Sequence, residues 1–237
     1  MSPYLGEFLG TATLMLLGSG VVAGVLLPQS KSQHGGWLVI AVAWGLAVLF
    51  GIYAAAPSGS GAHMNSALTI ALAALGKFPW AQVPGYIAAQ ISGAALGSTL
   101  AYLAYLPHWK GDLDPLAKRA VFCTAPAIRN FPAAILCEVI GSFVLMFGVL
   151  IIGANKMTEG LAPFAVAGLV VAIGLSLGGP TGYAINPARD LGPRIAHALL
   201  PIPGKGHSDW GYVWVPVLGP LAGGVTAALL AKVVMAG

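Results

Sequence analysis

Residues 59–76 read GSGAHMNSALTIALAALG. Asn65 stands at the head of an apolar run that ends at Leu75 and is closed by Gly76. A helix over the eleven residues 65–75 spans roughly half of a bilayer's hydrocarbon core, at a rise of ~1.5 Å per residue. The run is too short to cross a membrane. Its polar head therefore needs a reason to lie at membrane depth.

The rest of the chain makes the membrane setting plain. Of its 237 residues, 57% are hydrophobic and only 8% are charged, with a mean hydropathy of +0.84. Soluble domains carry about 25% charged residues, so a soluble globule is excluded and a polytopic helical membrane protein is expected, with residues 1–237 as one domain. The net charge of +4 comes from basic residues scattered over short loops. They form no patch or basic helix, so nucleic acid is set aside as a partner. Cys123 and Cys137 fit neither a disulfide framework nor a metal cluster. His34, His108, His197 and His207 lack metal-ligand spacing, so no metal or cofactor is expected. The N-terminal apolar run has no Lys/Arg-rich leader region and reads as a retained first span.

Six stretches are long enough to cross: residues 4–27, 37–56, 83–106, 131–154, 162–177 and 212–235. A second short run, residues 186–200, is headed by GYAINPARDLGPR. The chain also repeats itself. Glu7-Phe-Leu-Gly-Thr-Ala-Thr-Leu-Met is echoed by Glu138-Val-Ile-Gly-Ser-Phe-Val-Leu-Met, and GAHMNSALT by GYAINPARD. A looser echo pairs GAALG at Gly93 with GPLAGG at Gly219. Each half, 4–106 and 131–235, has the order span, span, Asn-headed half-helix, span. Three crossings per half start the second half on the opposite side of the membrane, which makes an inverted repeat.

Irregular backbone at membrane depth survives only inside protein or along a wet cavity. The two half-helices are thus expected to meet N-terminus to N-terminus near the midplane, each presenting an asparagine amide and a positive dipole end. The turns before them, Ser60–Met64 and Thr181–Ile185, offer a ladder of backbone carbonyls, with Gly61, Ala62, His63, Tyr183, Ala184 and Ile185 as its rungs. Such a lining can replace the water shell of a neutral polar solute, while a cation meets two positive helix ends.

With these paired motifs the chain resembles the aquaporin superfamily over nearly its full length. Asn186-Pro-Ala-Arg-Asp190 is an intact signature, and Asp190 after the arginine looks like the glycerol-facilitator branch. The resemblance implies an all-α membrane fold of six transmembrane helices plus two half-helices, in a homotetramer in the cell membrane with cytoplasmic termini. It also implies a narrow extracellular-side filter of Arg189, Trp44, Gly174 and Tyr183, with Asn65 and Asn186 as the pore asparagines. Water channels of the family typically carry histidine where Gly174 stands, so Gly174 is expected to leave space. Tyr183 replaces the usual Phe, and its hydroxyl is expected to narrow the filter. Ser66 replaces the usual Pro of the first motif.

Several residues admit two readings. Glu7 and Glu138, carboxylates inside spans, are functional candidates by default. They are either a proton relay or supports that accept backbone N–H groups from the half-helix loops, and their repeat symmetry favours support. Asp190 is expected to pair locally. His63 is expected to offer its carbonyl to the pore and to pack its ring, with pH sensing as the other reading. Charge bias conflicts with the resemblance. Lys77, Lys156 and Lys232 lie on the side of the termini, against Lys31, Lys110, Lys118, Arg119, Arg129 and Lys205 on the other, and the positive-inside rule alone places the termini outside.

The function expected is a passive channel for glycerol and other small uncharged solutes with some water, in a multi-pass protein of prokaryotic appearance. No catalytic constellation is visible, so no enzyme is expected. The alternatives are a mainly water-selective pore, a pore for undissociated lactic acid, urea or dihydroxyacetone, and a proton-coupled transporter using Glu7 or Glu138.

Overall fold

The computed structural model describes residues 1–110 and 113–234; the end of the sixth expected span, Met235, lies outside them. The helices are α1 (Pro3–Leu26), α2 (Gly36–Ala55), α3 (Ser66–Ala74), α4 (Val83–Ala104), α5 (Pro115–Ala120), α6 (Phe131–Ala154), α7 (Ala162–Leu177), α8 (Pro187–Leu199) and α9 (Trp214–Val234).

Five of these are long and apolar enough to cross a bilayer, and α7 is a shorter apolar helix of 16 residues. At ~1.5 Å per residue α7 reaches only about 24 Å. It gives way to the irregular segment 178–186, which enters the protein and leads to α8. The starts of the helices follow from local chemistry. Ser2 and Asn130 cap α1 and α6 through side-chain oxygens, and prolines occupy the first turns of α1, α4, α6, α7 and α8, where a missing N–H loses no helical bond.

The two halves interlock. α1 packs on α2 and α4, and α6 packs on α7 and α9. Each half-helix then crosses over: α3 packs on α9, and α8 packs on α4. Neither half encloses a complete half-helix site by itself.

Small residues let the spans approach closely. A Cβ on Gly93 would run into the Phe8 carbonyl, and one on Gly223 into the Val139 carbonyl. Phe8 and Val139 each follow a buried glutamate. The true counterpart of Gly93 is therefore Gly223, where the looser sequence echo had paired it with Gly219. A Cβ at Gly219 would instead meet the Glu138 side chain.

Candidate functional site: two capped half-helices around a pore

The loops before α3 and α8 share one unusual backbone. Ala62 and Met64 have φ of 52° and 47°, and Tyr183 and Ile185 have 37° and 42°. Positive φ is uncommon outside glycine, and for a β-branched residue such as Ile185 it is an outlier. Something must hold it. Glu138, 1% exposed, accepts from Thr181 Oγ1 (2.7 Å) and Ala184 N (3.0 Å) with Oε1, and from Ile185 N (2.8 Å) with Oε2. Glu7, fully buried, accepts from His63 N (2.8 Å) with Oε1, and from Met64 N (2.7 Å) and Gln90 Nε2 (2.8 Å) with Oε2. Each carboxylate gathers backbone N–H groups on one side of its loop. Such strain persists only where surrounding structure over-determines it, and it concentrates at functional sites.

The asparagines close the arrangement. Asn65 Oδ1 accepts from Ala67 N (2.9 Å), the N-cap bond of α3, and its Nδ2 donates to Ile185 O (2.8 Å) in the opposite loop. Asn186 Oδ1 accepts from Ala188 N (3.0 Å), and its Nδ2 donates to Met64 O (2.7 Å). Each half thus orients the other half's amide. One N–H of each amide is left for the cavity that both residues line. The carbonyl of Ile185, expected in the ladder, is engaged by Asn65. Its counterpart is Met64, at the end of the first turn, whose carbonyl is engaged by Asn186.

That cavity has a volume of about 250 Å³. Its polar stripe comes from the loop segments 61–65 and 183–186 and from Arg189, and aliphatic side chains such as Leu14, Val48, Leu145 and Val170 form the facing wall. Arg189 lies over Trp44, with its guanidinium carbon 4.2 Å from the ring centroid. Among the described residues no carboxylate forms a salt bridge with it.

Gly174 departs from the expectation. It does not line the cavity, because the Tyr183 ring fills the space it leaves. A Cβ there would stand 2.9 Å from both Cζ and Oη of Tyr183. The hydroxyl accordingly does not project into the lumen. It is buried without a hydrogen-bond partner among the described residues. The ring is backed by Trp37, edge-on at 5.8 Å, whose Nε1 donates to Gly174 O at 2.8 Å.

Asp190 pairs locally. It holds Arg194 (2.7 Å) and accepts from Thr124 N and Oγ1, both 2.7 Å away. Arg194 in turn donates to the carbonyls of Ser208 and Thr124, which ties the loops on that face to α8. His63 packs its ring against Phe78 (4.9 Å) and Tyr86 (5.2 Å), with Nδ1 3.1 Å from Thr69 Oγ1.

Three of the six basic residues counted against the resemblance have structural uses. Lys205 donates to three carbonyls at the end of α8, those of His197, Ala198 and Leu200. Lys118 donates to Pro203 O. Arg129 chelates Asp209 at 2.9 and 2.8 Å, and these bonds, opposed by burial, hold the Asp209 carboxyl below the usual range.

Comparison with known proteins agrees with this geometry. The profile of the major intrinsic proteins matches residues 1–231. A probable glycerol uptake facilitator protein of Thermotoga maritima is 60% identical over 230 residues, covering 97% of this chain and 98% of that protein. The glycerol uptake facilitator protein of Bacillus subtilis is 59% identical, covering 94% and 81%. Among solved structures, the aquaglyceroporin from Plasmodium falciparum superposes with a TM-score of 0.87 at 32% identity, covering 98% of this chain and 95% of that one. The chain is a multi-pass membrane protein with the aquaporin fold, and it belongs to the major intrinsic protein family.

Proposed function

We propose that the protein is a passive pore for glycerol and other small uncharged solutes, with some water passing as well. The observation that carries this reading is the two-sided cavity. Two asparagine amides, loop carbonyls and Arg189, itself stacked on Trp44, offer a solute polar contacts, while the aliphatic side chains that line the same cavity meet its carbon. A polyol presents hydroxyls on one edge and carbon on the other, so it can exchange its hydration for both surfaces at once. Cations meet donors and two positive helix ends, and are turned back. The facilitators at 59–60% identity support glycerol as the solute.

Proton coupling is disfavoured because Glu7 and Glu138 spend their lone pairs on loop N–H groups, Gln90 and Thr181. Cytoplasmic termini and a homotetramer in the lipid bilayer complete the proposal. Lys118, Arg129 and Lys205 have structural contacts of their own, so their charge bias weighs less against that orientation.

Uptake of labelled glycerol into proteoliposomes tests the reading. Equilibration down the gradient, never above it and insensitive to an uncoupler, is the expected result. Accumulation that collapses with an uncoupler contradicts it.

A further inference from the structure

The two halves differ at one linked pair of positions. α8 begins with Pro187, whereas α3 begins with Ser66. The register set by Gly93 and Gly223 makes Gln90 of α4 the counterpart of Pro220 in α9. Where the second half has two prolines, the first has a serine and a glutamine in contact. Ser66 Oγ donates to Gln90 Oε1 at 2.9 Å, and both residues are buried. The Gln90 amide then spends both of its protons: Nε2 donates to Glu7 Oε2 at 2.8 Å and to Thr69 Oγ1 at 3.0 Å. In the second half, the third donor to the glutamate is Thr181 Oγ1. The matching Ser60 makes no such bond: its Oγ accepts from Ala62 N. Gln90 supplies what Thr181 supplies elsewhere.

We infer that Ser66 and Gln90 are a positioning pair that sets the first loop and, through it, the pore amide of Asn186. Ser66 fixes the Gln90 amide by occupying its oxygen. A flipped amide would turn that oxygen toward the Glu7 carboxylate. Gln90 donates to the Glu7 oxygen that accepts from Met64 N (2.7 Å), and the Met64 carbonyl receives Asn186 Nδ2 (2.7 Å). The chain of bonds runs from the first residue of one half-helix to the cap of the other. Proline at position 66 would start the helix as well but has no hydroxyl to donate. Ser66 does not line the cavity, so it acts only through its partners.

This rests on the glycerol-pore reading, and the two fail differently: wild-type protein without glycerol flux sinks that reading, while the variants below test the pair. The readout is the glycerol-to-water permeability ratio of proteoliposomes, with melting temperature measured alongside. Ser66→Ala and Gln90→Leu are each expected to shift the ratio by about threefold or more, the worth of one net hydrogen bond. The double variant is expected to shift it no further, and Ser66→Thr, which keeps the hydroxyl, is expected to stay near wild type. Ser66→Pro guards against a folding artefact, since it keeps the helix start and loses only the donor; it should match Ser66→Ala. A wild-type ratio in Ser66→Ala or Ser66→Pro, or additive shifts in the double variant, overturns the inference.

Discussion

Replacing Gly174 by alanine adds one methyl group against the Tyr183 ring beside the cavity. That methyl carbon would sit 2.9 Å from Tyr183 Cζ and Oη and 3.2 Å from Ala41 Cβ. Carbon atoms in good contact are ~3.5–4.0 Å apart, so the ring must retreat by roughly 0.6–1 Å. Trp37 and Gly178 back the ring on the far side, which leaves the cavity as the direction of retreat. Overpacking of this kind costs about 1–3 kcal/mol. If that cost is met again each time a solute squeezes past, about 1 kcal/mol slows passage about fivefold. A water molecule needs less width and is slowed less. The assay is stopped-flow light scattering on proteoliposomes holding equal amounts of channel. Glycerol permeability should fall about fivefold or more, and water permeability less than about twofold. Adding Tyr183→Leu, which removes the ring, should restore glycerol flux. Unchanged glycerol flux in Gly174→Ala, or equal loss for water and glycerol, would refute the reasoning.

Glu138→Gln turns an amide N–H₂ toward an N–H that now donates at 2.8–3.0 Å, leaving a buried donor unsatisfied at a cost of about 1–3 kcal/mol. Water and glycerol flux should fall together with the melting temperature, and full retention of all three would contradict the support role. Asn186→Asp keeps an acceptor for the α8 cap but replaces the donor to Met64 O by a negative charge, so a cation conductance measurable in planar bilayers is expected where the wild type shows none. Asp209 has a depressed folded-state pKa. Its stabilisation is therefore present above its unfolded value of ~3.9 and is lost as pH falls through the folded value. The melting-temperature gap between wild type and Arg129→Ala should shrink on acidification below that range, and a gap that widens would reverse the assignment.

The legible part of the fold was whatever the repeat wrote twice. Glu7 and Glu138, Asn65 and Asn186, and the two Gly-led turns recur at matching places, and symmetry told supports from solute contacts. The illegible part depended on contacts between distant segments that no period announces. Gln90 meets Ser66 across 24 positions, and no spacing in the sequence announces that pair. The small-residue stripe of α9 offered two glycines for one echo, and the choice of Gly223 lay in which carbonyl it touches. Gly174 was read as open space because a missing side chain looks like room. In three dimensions its neighbour, Tyr183, had already taken it. Charge counting is blind for a related reason. Lys205 and Lys118 end on carbonyls, and Arg129 on a carboxylate, uses that a sum over loops does not see.

The central claim is that the two-sided cavity passes a neutral polyol without coupling to ions. Stopped-flow light scattering with the wild-type protein in proteoliposomes tests it most directly, by imposing an inward glycerol gradient and following the reswelling after the initial shrinkage. The account predicts rapid reswelling that needs no ion gradient and slows as the polyol lengthens from glycerol to a six-carbon sugar alcohol. Fast shrinkage without glycerol-dependent reswelling would mean a pore for water alone, and would contradict it.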